Sequence, residues 1–307
     1  MRFILNLGAA ALLTSCATVY AEKRAPPIGT LVDVGGERVH IVDLGVGEGP
    51  PVVLIHGASV NLLDMKLALG DRLAKSRRVI LLDRPGRGYS SRPKQGWRLN
   101  VQAKLIHDAV ASQGAERPIV VGQSFGGAVA LAYALQYQGD MSGLVLLAPV
   151  SHEWQGGVAW YNEVAGWPVV GFLFRRLIIP VYAPGAARRG LSRSFGPDDA
   201  PETYFGDAGL ALLFRPHDFG ANASDLRHLK AEIVAQSKRY GEIRLPTAII
   251  AGEEDRTVLP DNHARRLARD IPGATLEMIP DAGHALHHSE QASIIAAIDR
   301  IAAQTPQ

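Results

Sequence analysis

The chain has 307 residues, enough for one large domain or for one domain carrying a substantial insertion. A hydrophobic share of 47% and a charged share of 20% belong to a folded globular protein and exclude a disordered or low-complexity one. A formal charge of +2 is too small to imply a nucleic-acid partner, which needs a concentrated basic face.

Taken in chain order, the first feature is an apolar run of about eleven residues, Phe3 to Leu13, behind Met1 and Arg2. It is short for a bilayer span and has the length of a signal-peptide hydrophobic region, so residues 1–21 are expected to stand outside the fold. The run ends in Leu13, Thr14, Ser15 and Cys16, and Cys16 is the only cysteine. These four residues resemble the lipobox of a bacterial lipoprotein, in which cleavage leaves the cysteine as a lipidated first residue. Ala17 after it, in place of aspartate, would by that resemblance favour the outer membrane. The alternative is ordinary export with cleavage after Ala21, because Val19, Tyr20 and Ala21 offer a small residue at the cut. Either route takes the domain out of the cytoplasm without a disulfide, and the first would attach it to a membrane through Cys16. Residues 22–29, with Pro26 and Pro27, read as a tether.

The body begins with two alternating segments, Thr30 to Val34 and Glu37 to Leu44, joined at Gly35 and Gly36 as in a hairpin. Apolar runs without alternation follow: Pro51 to Ile55, Arg78 to Leu82, Pro118 to Gly122, Gly143 to Leu147, Pro246 to Ala251 and Ala274 to Ile279. Such runs suit strands covered on both faces. Helices are predicted at Leu62 to Lys75, Val101 to Gln113, Gly127 to Tyr137, Pro260 to Asp270 and Ser289 to Ala303. The alternation defines an α/β protein with a mainly parallel sheet, over residues 30–150 and 243–307. Residues 151–242 break the rhythm with six prolines and no clear strand, and read as an inserted helical cap. Three of the four tryptophans (Trp154, Trp160, Trp167) and six of the eight phenylalanines fall there, so the inner face of the cap is expected to line an apolar pocket. Arg175, Arg176, Arg188, Arg189 and Arg193 in the same segment would suit anionic lipid, or simply form a solvated face.

The chemistry is concentrated in three loops. Gly122, Gln123, Ser124, Phe125 and Gly126 stand between a predicted strand and a predicted helix, and a sharp turn there lifts the serine hydroxyl off the sheet with glycine required on both sides. A serine hydroxyl is a weak nucleophile that needs an adjacent base, itself oriented by an acid. Asp255 follows the run Thr247 to Ala251, with Glu253 and Glu254 as alternative acids beside it. His284 follows the run ending at Ile279. All three loops emerge at one edge of the sheet, where open α/β folds bind ligands.

With His56-Gly57 after an early strand, the segment Asp83 to Ser90, the serine turn, Gly252 to Asp255 and Gly283-His284 in this order, the chain resembles a cap-bearing α/β-hydrolase over its whole mature length. The resemblance implies Ser124 as nucleophile, His284 as base, Asp255 as acid, and the backbone N–H groups of Ala58 and Phe125 as an oxyanion hole. Gln123 departs from the histidine often found before the serine. His56 is expected to shape its loop, and Asp83 to tie down the glycine-rich loop. His287 and His288 lack an H-E-x-x-H pattern or a cysteine ligand, so no metal is expected. The spacing of Gly86 and Gly88 does not fit a dinucleotide fingerprint, so no cofactor is expected either. Three functions stay open: hydrolysis of a small apolar ester or lactone, carbon–carbon hydrolysis or cofactor-free perhydrolysis on the same residues, and a tethered scaffold without turnover.

Overall fold

The computed structural model describes residues 17–304, so Cys16 and most of the expected signal peptide lie outside the described residues. Eight strands form one sheet: β1 (Thr30–Val34), β2 (Glu37–Leu44), β3 (Val52–Ile55), β4 (Val79–Leu82), β5 (Ile119–Gln123), β6 (Gly143–Leu147), β7 (Thr247–Gly252) and β8 (Thr275–Ile279). Their spatial order is β1-β2-β4-β3-β5-β6-β7-β8. The pairs β1/β2 and β2/β4 are antiparallel and the rest are parallel. This is the α/β-hydrolase fold.

The apolar runs divide residue by residue between two cores, as a period of two demands. Val53, Ile55, Ile80, Leu82, Val120 and Ile249 face one side, under helices Leu99–Ser112 and Phe125–Tyr137. Val52, Leu54, Val79, Leu81, Val121 and Ile250 face the other, where Ile294, Ala297 and Ile298 of helix Gln291–Ala303 cover them. Fully burying a side chain of this size contributes about 1.5–3 kcal/mol, so coverage of both faces fixes register and position together. The predicted helix from Leu62 is interrupted: an α-turn Leu62–Met65 passes through a π-turn, Lys66–Gly70, into Asp71–Leu73.

Between β6 and β7 the chain leaves the sheet for a set of helices, among them Trp160–Ala165, Val169–Leu177, Ile179–Phe195 and Pro216–Gln236. One expectation is corrected here. Residues 22–29 are docked and not a free tether. Residues 17–24 are helical, Ala21 and Ala25 are buried against Leu212, Glu22 pairs with Arg215 at 3.0 Å, and the Tyr89 hydroxyl donates to the Ala25 carbonyl at 2.6 Å. The prolines at 26 and 27 suggested a linker, but two small side chains four residues apart present one packable face. The inner face of the inserted helices does line the cavity described below, through Phe195, Phe214 and Phe219, but of the three tryptophans only Trp154 takes part, Trp160 and Trp167 being exposed. A count of aromatics carries no direction when the helices bearing them are short and bent.

Candidate active site

β5 runs into Gln123 and the next helix begins at Phe125, leaving Ser124 alone in the turn. Its φ of 53° and ψ of −115° lie where side chains crowd the backbone, so the conformation is strained and must be held from outside. The Ser124 N–H donates to the Leu147 carbonyl at 2.9 Å, and the Ser124 carbonyl accepts from Gly127 at 3.0 Å and Val150 at 3.1 Å. A methyl group on Gly122 would strike the Gly126 carbonyl, and one on Gly126 would strike the carbonyls of Ile55 and His56. Glycine at both positions is therefore a condition of the turn.

The loops after β7 and β8 bring two more groups to this point. His284 Nε2 lies 3.0 Å from Ser124 Oγ, and its Nδ1 lies 2.8 Å from Asp255 Oδ2. The other carboxylate oxygen, Oδ1, accepts from the Thr257 and Val258 N–H groups at 2.7 and 2.8 Å. An ionised carboxylate only accepts, so Nδ1 carries the proton and the Nε2 lone pair faces the serine hydroxyl. All three side chains are buried. Glu253 and Glu254 are exposed and pair with Arg265 and Arg256. Gln123 donates to the His284 carbonyl at 3.3 Å and so steadies the loop that carries the imidazole.

Ser124 opens into a cavity of about 1100 Å³, lined beside it by Ala58, Phe125 and His284 and overhead by Tyr182, Phe195, Phe214 and Phe219. Phe125 is the first residue of its helix, where backbone N–H groups have no intrahelical acceptor and face outward. Ala58 follows His56-Gly57, whose geometry rests on one imidazole: His56 Nδ1 donates to the Gly57 carbonyl at 2.9 Å and Nε2 accepts from the Arg84 N–H at 3.0 Å. Burial, followed by the nearby Arg84 and Arg87 charges, keeps the His56 pKa well below its ordinary value, so the ring stays neutral and serves as a strut. Asp83 accepts from the N–H groups of Leu62 and Tyr89, both at 2.9 Å, and pairs with His40 at 2.7 Å, tying down the glycine-rich loop.

Three arrangements around the cavity were not read from sequence. Arg84, wholly buried, reaches Asp225 on helix Pro216–Gln236 at 3.1 Å while its guanidinium lies 4.2 Å over the Phe125 ring. Asn222 of the same helix accepts from the Ser59 N–H at 2.8 Å and donates to its hydroxyl at 3.1 Å. Asp64 gathers Tyr204 at 2.6 Å, His287 at 3.0 Å and His288 at 2.8 Å. Burial pushes the Asp64 carboxyl up, but the two imidazoles outweigh it and hold its pKa well below the usual range. The carboxylate is thus satisfied by three protein donors, and the cluster clasps the helical segment behind Asn61, the loop after His284 and the inserted helices together. In the sequence, Arg84 stands inside the segment Asp83 to Ser90, His287 and His288 are read only for metal ligation, and Asp64, within a predicted helix, carries no motif at all.

A family model described as the alpha/beta hydrolase family matches residues 52–298, and the chain belongs to that family. It is a hydrolase enzyme. Among its relatives, 2-hydroxymuconate semialdehyde hydrolase of Pseudomonas putida is 28% identical over 290 residues, covering 88% of this chain and 93% of that protein. A monoacylglycerol lipase of Homo sapiens is 26% identical over 249 residues, covering 78% and 71%. A crystal structure of an α/β-hydrolase-fold protein from Burkholderia ambifaria superposes with a TM-score of 0.72 at 26% identity, over 88% of this chain and 97% of the other.

Proposed function

We propose that the protein is a serine hydrolase that cleaves a carboxylic ester or lactone through an acyl-enzyme. The observation that carries this reading is the continuous chain from Asp255 through His284 to Ser124 Oγ, at 2.8 and 3.0 Å, at the wall of an apolar cavity. Ser124 Oγ attacks the substrate carbonyl while His284 Nε2 takes its proton, and Asp255 stabilises the resulting imidazolium. The carbonyl oxygen becomes negative and is met by the N–H groups of Ala58 and Phe125, each such donor being worth about 3–4 kcal/mol of barrier. His284 then returns the proton to the leaving oxygen as the carbon–oxygen bond breaks. Water, deprotonated by the same imidazole, releases the acid and restores the serine. A fluorophosphonate probe is expected to label Ser124, and a folded protein that stays unlabelled would overturn the proposal.

The similarity to the Pseudomonas putida hydrolase favours a second reading, hydrolysis of a carbon–carbon bond next to a ketone by the same residues. A panel of aryl esters assayed beside a ring-cleavage diketone separates the two: turnover of the diketone alone selects the second.

We further propose that the chain is exported and anchored in the bacterial cell envelope, at the outer membrane, by a lipid on Cys16. The docking of residues 17–25 supports this, because a cut after Ala21 would fall inside the packed helical residues 17–24, and a cut before Cys16 would not. Labelled palmitate should enter the wild-type chain and not Cys16→Ser, and a soluble unlabelled wild type would overturn it.

A further inference from the structure

The inserted helices carry an exposed apolar face that no part of the described chain covers. Trp160, Trp167, Val169, Val170, Phe172 and Val181 are all exposed, with Val169 at 75% and Val181 at 82%. Six large apolar side chains exposed within 22 residues of one another in the chain point to an interaction surface. Between Val164 and Ser194 there are five arginines (Arg175, Arg176, Arg188, Arg189, Arg193) and no aspartate or glutamate. Valine, phenylalanine and tryptophan beside arginine, in a segment without a carboxylate, is the composition of a helix that lies in a bilayer interface, with its cations among the headgroups.

Geometry argues for lying on a membrane over crossing it. No described helix is long and apolar enough to span, and Val169–Leu177 meets Ile179–Phe195 at a bend of 73°. The inner side of the second helix is already committed, since Tyr182, Ala183, Ala187 and Leu191 line the cavity above Ser124. The beginning of the described chain also belongs to this side of the molecule. Glu22 and Arg175 line one cleft of about 670 Å³, and the apolar run Phe3 to Leu13 stands a few residues upstream of that helix.

We propose that the outer face of helices Val169–Leu177 and Ile179–Phe195 docks on an anionic phospholipid bilayer, setting the wall of the cavity against the lipid. The site would then draw its substrates from the membrane, as acyl lipids with an ester bond, and this clause alone rests on the ester-hydrolase reading.

The experiment uses the full chain carrying Ser124→Ala, in vesicles of phosphatidylglycerol and brominated phosphatidylcholine. Tryptophan emission is expected to be quenched, and Trp160→Phe with Trp167→Phe removes the quenched component. Val169→Asp with Val181→Asp should abolish quenching, whereas Val46→Asp, another exposed apolar position but in the loop before β3, should leave it intact. Arg188→Ala with Arg189→Ala should lower the docked-to-undocked ratio about twenty-fivefold, from about fivefold per arginine at an anionic surface. Circular dichroism identical to the parent shows that the variants fold. Unquenched parent emission, or quenching that survives the two aspartates, overturns the proposal. So does a concentration-dependent dimer lost in the same variant without quenching, which would make a second copy the occupant. Because nothing here requires turnover, the docking result and the fluorophosphonate result fail separately.

Discussion

At the scale of single residues, Ser124 combines a strained backbone with a hydroxyl poised 3.0 Å from an imidazole. Ser124→Ala is expected to keep the fold and lose at least about 10³-fold in kcat/KM on an activated ester. Asp255→Asn should cost about 10⁴-fold, because an amide can present an N–H to Nδ1 and reverse the tautomer. Gly126→Ala is the structural counterpart. Its new methyl group meets backbone carbonyls of β3 and His56, which cannot rotate away, so thermal unfolding should report a loss of about 1–3 kcal/mol or more. The serine turn was legible in sequence because strand, turn and helix are contiguous there. The clasp of Asp64 on His287 joins residues 223 positions apart, and no local pattern announces such a pair.

At the scale of elements, the inserted helices are fastened to the sheet by buried charge as well as by apolar packing. Arg84 and Asp225 are both almost wholly buried, and Arg92 shares the same carboxylate at 2.7 Å. Removing one partner of such a pair strands the other without water, which typically costs about 3–5 kcal/mol. Asp225→Ala is therefore expected to lower stability by that amount in a denaturant titration, and a loss below about 1 kcal/mol would show that the charge is rehydrated. Strand positions were readable to within a residue or two, because β-branched runs bounded by glycine and proline admit few other conformations. The direction of the tryptophans was not. Trp160 opens a helix of only six residues and Trp167 sits in the bend before Val169, so neither belongs to a continuous periodic run from which an inner face is inferred.

At the scale of the whole molecule, several histidines are held neutral by the fold. His263 accepts from the N–H groups of Ser151 and His152, both at 3.1 Å, and burial, with the neighbouring His152, brings its pKa down to about 4. His56 is likewise held well below its ordinary value, by burial and two arginines. The unfolded chain takes up these protons near pH 6.5 and the folded one refuses them until lower pH. Their contribution is thus complete above about 6.5 and is lost as pH falls, at about 1.4 kcal/mol per unit for each group. His40 opposes the trend: burial lowers its pKa, Asp83 raises it more, and its stabilisation fades as pH rises. The lowered rings, with His152 and His287 also brought down by burial, outnumber it, so the melting temperature should fall between pH 7 and pH 5. A flat profile would mean that water reaches His56 or His263.

The helix at residues 17–24 gives the molecule a property of attitude. It is clamped to the body through Ala21, Ala25 and the Glu22–Arg215 pair, and its described part begins at Ala17, next to Cys16 in the chain. An acyl group at that cysteine would have almost no slack behind it. Stand-off from the lipid and tilt toward it would then be built into the chain, where a long leash would leave both to diffusion.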